Sequence, residues 1–163
     1  NYVAEHSEAV TQLAAGQATI AMIPEPFVTT ITNKKPNIKV AVDMSKAWEE
    51  ASNGSQLQMT AVVVNKDWAE ANPKVLEQFM KAYEASINSV NENPAEGAKN
   101  IVAAGIMTDP AVAEKAIPNC NIVFIPVKDA QESLNEYYTI LAGFEPKAVG
   151  GKVPGEDFYV LGK

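Results

Sequence analysis

The sequence predicts an α/β fold of open, mostly parallel sheets flanked by helices, with a helix-rich C-terminal half. Three observations predict it. Short apolar runs with β-branched residues stand at 19–23 (TIAMI) and 59–64 (MTAVVV), the composition of strands buried on both faces, and 39–43 (KVAVD) is a further strand candidate. Helical signals alternate with the first runs, and β-α-β-α is the order of an open parallel sheet. After residue 65 the apolar residues recur every three or four positions, the period of amphipathic helices.

Taken in order, Tyr2-Val3-Ala4 reads as the tail of a strand already under way, which predicts a chain missing its beginning. Ser7 is placed to cap a short helix over 8–15, and Gly16 to end it in a left-handed conformation. The strand at 19–23 stops at Pro24-Glu25-Pro26, and Pro26 suits the first turn of a helix over 27–32. Residues 47–55 (AWEEASNGS) are small and polar and read as a connector. Asn72-Pro73 predicts a helix start with Asn72 as cap. Val75, Leu76, Phe79, Met80, Tyr83, Ile87 and Val90 then form one apolar stripe ending near residue 91. Asn93-Pro94 and Asp109-Pro110 open two further helices. Residues 122–125 are a strand or an extended packed segment, 129–142 a helix, and the Gly- and Pro-rich tail irregular.

Composition narrows the function classes. The 163 residues carry a net charge of -7, and every basic side chain is lysine. The electrostatic footprint of nucleic-acid binding is missing, so no nucleic-acid partner is expected. No apolar run reaches the roughly 18 residues of a membrane span, and neither end reads as a signal peptide. Cys120 stands alone, which excludes an intrachain disulfide and a CxxC zinc site; the lone His6 excludes a two-histidine metal site on this chain. Cys120 has no histidine near it in sequence, and His6 beside Glu5 points to the opposite side of an extended segment. No catalytic residue, metal site or cofactor is expected. Glu70, Glu77, Glu84, Glu92 and Glu96 read as a solvated face.

The corner ATIAMIPEPFVTTI carries the main site candidate. Ligands of open α/β sheets bind outside the carboxyl ends of strands, and Glu25 falls there, with Pro24 ending the strand and Pro26 starting the helix. Two prolines reduce the entropy lost on ordering the carboxylate between them. The alternative is a purely structural role, an anion at a helix N-terminus.

Three stretches carry a family resemblance: EAVTQLAAGQATIAMIPEPF, TAVVVNKDWAEANPKVLEQFMKAYEASINSVNENPAEGAKNIVAAGI and FEPKAVGGKVPGEDFYV. Together they resemble the later half of a type 2 periplasmic-type solute-binding protein of an ABC transporter. The closest group is the SsuA/Tau/NMT1-like branch for sulfonates, nitrate and thiamine precursors. The resemblance implies two α/β lobes joined by crossing strands, with a small-molecule ligand clamped between them. Residues 1–52 would end the second lobe, and residues 53–163 would return to the first and add the tail. It further implies a non-catalytic protein, a monomer when intact, closing on a small polar ligand and docking on an ABC permease. Its place would be extracytoplasmic, in the periplasm or lipid-anchored on the outer face of the cytoplasmic membrane.

Within that frame Gln56, Gln58 and Thr60 lead into the 59–64 strand, where alternate side chains would face the ligand. The plainer reading is a solvent-facing strand edge. Trp48 is a candidate for stacking on a flat ligand, whereas Trp68, Met22 and Phe27 read as packing. Two other functions share the fold: an iron-using pyrimidine synthase of thiamine biosynthesis, and a cytosolic effector-binding domain of a regulator.

Overall fold

The computed structural model describes residues 2–160. Its regular structure is helical: α1 (His6–Ala14), α2 (Phe27–Lys34), α3 (Met44–Ala51), α4 (Lys66–Ala71), α5 (Pro73–Glu92), α6 (Pro94–Ala103), α7 (Pro110–Ala116) and α8 (Val127–Phe144). Short 3-10 turns lie at Ile117–Asn119, Pro146–Val149 and Glu156–Phe158. The helix-rich character expected of the C-terminal half is present. The sheets expected of an α/β fold are not formed among the described residues. Residues 19–23, 39–43 and 59–64 form no strand, and most of their large apolar side chains are exposed rather than buried. The physical reason is that a strand, unlike a helix, finds its hydrogen-bond partners only in another segment.

The chain divides into two compact units. One comprises the residues up to Ala41 together with Tyr83–Val123, and the other Val42–Ala82 together with the residues from Phe124.

In the first unit the core forms where α6 and α7 pack on each other and on the following 3-10 turn. Ala98 and Ala113 are 1% exposed and Ile117 3%, with Val90, Ile101, Met107 and Ile122 packed around them. The two alanines permit close helix approach, and Gly97 extends it. A Cβ at Gly97 would lie 2.5 Å from Val90 Cγ2, closer than packed carbons sit. Asp109 caps α7 by accepting from the backbone N–H groups of Ala111 (2.9 Å) and Val112 (3.2 Å), and Pro110 fills the first turn, where no donor is needed. Of the expected packed run 122–125, Ile122 packs against this core and its carbonyl accepts from Asn91 Nδ2 at 2.8 Å, whereas Val123 and Ile125 are exposed. α2 packs on α1 and α7 and buries Ile31.

The second unit is held by aromatic side chains. Trp48 of α3 lies 5.3 Å from Tyr137 of α8, Tyr137 adjoins Tyr138, and Tyr138 meets Phe158 edge-on. Tyr159 is buried and donates from its hydroxyl to Asn135 Oδ1 at 2.8 Å. The first part of the expected connector, residues 47–51, is helical and belongs to α3. Its start is fixed by Asp43, whose carboxylate accepts from Ser45 N–H and Lys46 N–H, so Asp43 is a helix cap and not a strand end. Two other caps differ from expectation. Asn72 donates its amide to Trp68 O at the end of α4 and its side chain does not cap α5. α1 starts after Glu5 with no side-chain cap, and Ser7 lies inside it.

Candidate functional site

The Pro24-Glu25-Pro26 corner belongs to the first unit. α2 begins at Phe27, and its cap position is Pro26, a residue with no side-chain acceptor for the free N–H groups of the first turn. Glu25 fills that role from one position further back: Thr29 N–H donates to Glu25 Oε2 at 3.0 Å. The carbonyl of Pro24 accepts from Phe27 N–H at 3.0 Å and Val28 N–H at 3.3 Å. Both ligand candidates of the corner are thus also its local scaffold, and the structural alternative for Glu25 is part of the answer. The carboxylate is half-buried, and an ionised carboxylate has acceptor sites beyond the one that Thr29 uses.

Around this corner stand His6, whose ring centroid lies 5.6 Å from that of Phe27, and Cys120. Burial pushes the Cys120 thiol up from its ordinary range, and the negative charge of Glu25 adds to the rise. A thiol held protonated in this way is a poor nucleophile. His6 is exposed at the start of α1, and Met22, expected in the core, is exposed too.

The other candidates belong to the second unit. Gln58 is half-buried and donates from Nε2 to Ser133 Oγ at 3.2 Å; Ser133 Oγ in turn donates to Ala130 O. Its amide ties the segment before 59–64 to α8. Gln56 and Thr60 are exposed. Trp48 is half-buried against Tyr137, and its buried indole Nε1 has no hydrogen-bond partner. Trp68, read as packing, is exposed.

The second unit also holds an open groove of about 920 Å³ that the sequence did not reveal. One wall is the turn 52–55 after α3, where Asn53 and Gly54 both take positive φ (59° and 96°). The other is a face of α8 that includes Lys128, Gln131, Asn135 and Thr139. Asn-Gly is a legible turn signal, and those α8 positions share one helical face; the meeting of the two in space was not legible. None of Gln56, Gln58, Thr60 and Trp48 lines this groove. Among the described residues, no three His, Cys, Asp or Glu side chains gather as a metal site requires, and no helix is long and apolar enough to cross a membrane. The five glutamates expected on a solvated face are exposed, and Glu77 and Glu96 pair with Lys81 (2.7 Å) and Lys99 (2.9 Å).

No known family profile matches the chain. No curated protein matches it either. Among solved structures, the crystal structure of an ABC transporter from Parabacteroides distasonis is similar, with a TM-score of 0.85 and 24% identity over 100% of this chain. The chain spans 56% of the length of that protein. The likeness shows that the two share a fold over this span.

Proposed function

We propose that this chain is part of the solute-binding component of an ABC importer. It belongs to the type 2 periplasmic-binding fold in its SsuA/Tau/NMT1-like form, acts outside the cytoplasmic membrane, and catalyses no reaction. What carries the reading is the likeness over the chain's whole length to an ABC transporter. The partner is a membrane permease of that class. The ligand is small and polar: a sulfonate, a nitrate-like anion or a pyrimidine precursor of thiamine.

Glu25 is the residue we assign first to ligand contact, with Pro24 beside it, followed by Gln58, Gln56, Thr60 and Trp48. Its carboxylate accepts from Thr29 and is half-buried, so a donor group on a ligand is the natural occupant of its remaining acceptor positions. That chemistry favours an aminopyrimidine over a bare anion, which the charge would repel.

The test is titration calorimetry with an aminopyrimidine, an alkyl sulfonate and nitrate, on the protein and on its Glu25→Gln and Glu25→Ala variants. Glutamine keeps an acceptor for Thr29 N–H but loses the charge. Glu25→Gln is expected to weaken aminopyrimidine binding about tenfold or more, equivalent to about 1.4 kcal/mol, with little change in the melting of the free protein. Glu25→Ala is expected to lose binding and, in addition, about 1 kcal/mol of stability as a lost cap. Unchanged affinity in both variants would remove Glu25 from the site.

A further inference from the structure

Asn53-Gly54 is the one Asn-Gly pair in the sequence, and the fold sets it at the end of α3. Asn53 takes the left-handed conformation (φ 59°), and Gly54 after it has a positive φ of 96°. The Gly54 amide donates back to Glu49 O at 2.8 Å, and the Ser52 amide to Trp48 O at 2.8 Å. The first of these is the long bond of a Schellman helix end, with asparagine in the place glycine usually holds. Both residues of the pair are exposed. Among the described residues, nothing lies within 4 Å of the place a Cβ on Gly54 would take, so the nitrogen of Gly54 is sterically open.

An asparagine carries its own electrophile, the side-chain carbonyl carbon Cγ, and the next backbone nitrogen can reach it to close a five-membered ring. That nitrogen must first give up its proton. At Asn53, hydroxide takes the proton from Gly54 N–H, and the nitrogen attacks Cγ. The bond from Cγ to the side-chain nitrogen breaks, and ammonia leaves with a proton from water. Water then opens the succinimide at either carbonyl, giving isoaspartate or aspartate. The sum is hydrolysis of an amide by water, with no oxidant or reductant. Other asparagines lack one of the conditions. Asn72 and Asn93 precede prolines, which have no N–H to lose. Asn88, Asn91 and Asn100 lie inside α5 and α6. Asn121 shares the positive φ (51°) but is followed by branched Ile122.

We infer that Asn53 is a site of spontaneous deamidation, gated by the C-terminal cap of α3, and that its product puts a new carboxylate on the wall of the groove. The gate is the bond to Glu49 O. It holds the very proton that has to leave and keeps the nitrogen turned to the helix end. The reaction therefore runs from molecules whose last turn of α3 has opened. Such an opening is local, since the residues of α3 are exposed or half-buried. The charged residues of the groove are Lys128, Glu132 and Glu136, a net charge of one plus and two minus. A carboxylate at 53 adds a third minus at the C-terminal end of a helix, where negative charge is disfavoured. Isoaspartate also routes the main chain through Cβ, which puts the Gly54 to Glu49 bond out of register. The altered groove repels anions more and attracts cations more. None of this depends on the ligand assigned to the Pro24–Pro26 corner.

Prolonged incubation of the 163-residue chain in warm, mildly alkaline buffer tests it, folded and unfolded in guanidinium chloride. Peptide mass spectrometry follows the loss of each asparagine and separates isoaspartate from aspartate. Asn53 is expected to be lost first in the folded chain, as a mixture of the two products. The unfolded chain is expected to lose it about two- to tenfold faster, the range for giving up one hydrogen bond. Asp43 caps the start of α3 through Ser45 and Lys46 N–H. Asp43→Ala is expected to move the folded rate toward the unfolded one, and Asp43→Asn to keep it near the parent's. Should Asp43→Ala fail to fold, guanidinium chloride below the unfolding transition loosens the same cap in the parent and is expected to quicken the loss likewise. Prior loss of another asparagine from the folded chain would overturn the site. Equal rates in the folded and unfolded chains, or a folded rate that neither way of loosening α3 changes, would overturn the gate.

Discussion

Two regions of this molecule have nearly the same apolar vocabulary and opposite fates. The α6–α7 corner is alanine, isoleucine and valine, and its centre is sealed to 1–3% exposure. The 59–64 stretch is methionine, threonine, alanine and three valines, and it stands in solvent. The difference lies in where the backbone finds its partners. A helix pairs its own N–H and C=O groups, so α6 and α7 need only side-chain cover, which each gives the other. An extended segment needs a neighbour for its backbone as well as cover for both faces. Apolar composition predicts the wish to be buried; only the partner decides whether burial happens.

The sharpest way to break that comparison is to truncate one side chain in each region. Ile117→Ala is expected to cost about 2–5 kcal/mol, the range for large-to-small changes in a packed core. Val63→Ala is expected to stay within about 0.5 kcal/mol, as exposed changes do. Denaturant unfolding of the two variants decides; equal losses would show that 59–64 is packed after all. A smaller effect sharpens the account of the sealed corner. Asp109→Ala removes the acceptor shared by Ala111 and Val112 N–H and is expected to cost about 1 kcal/mol, seen as a lower melting temperature, with Asp109→Asn largely restoring it.

Helix starts were the most legible part of this fold. Asn93-Pro94 and Asp109-Pro110 open α6 and α7 where the sequence placed them, and the α5 stripe was read within a residue or two of its true span. Those signals are local, because the cap and the first turn lie within four residues of each other. Several smaller errors came where a local signal had two uses. Asp43 looked like the end of a strand and caps α3. Asn72 looked like a cap and closes α4 through its donor side. The bond from Thr29 N–H to Glu25 follows from Pro26 occupying the cap position, and that needed the coordinates. The groove between the 52–55 turn and α8 joins segments some 75 positions apart, a separation that Gln58 and Ser133 also span; no periodicity reports such a meeting.

Tyr159→Phe probes whether the second unit resembles the sealed corner or the open stretches. The variant loses the bond to Asn135 Oδ1 and is expected to cost about 1 kcal/mol by denaturant unfolding. No loss would place the aromatic chain nearer the open stretches. The smallest effect expected is at the Pro24–Pro26 corner. Burial and then Glu25 raise the Cys120 thiol, so less of it is thiolate at a given pH. Glu25→Gln removes the second cause and lowers that pKa slightly. Alkylation by iodoacetamide near pH 8 is then expected to quicken, and a rate unchanged from the parent would separate the two groups electrostatically.

Gly97 has a genetic consequence. The place a methyl would take there is held by Val90 Cγ2, and valine cannot swing aside, because its branched χ1 has one good rotamer in a helix. Alanine at 97 gains helix propensity and loses the fit; alanine at 90 frees the space and leaves a void. Each step alone is a loss, while the pair gives up valine's two methyls and places one new methyl in the space Cγ2 held. Drift at these two positions is therefore coupled: in the double variant, the two penalties should sum to more than the observed loss.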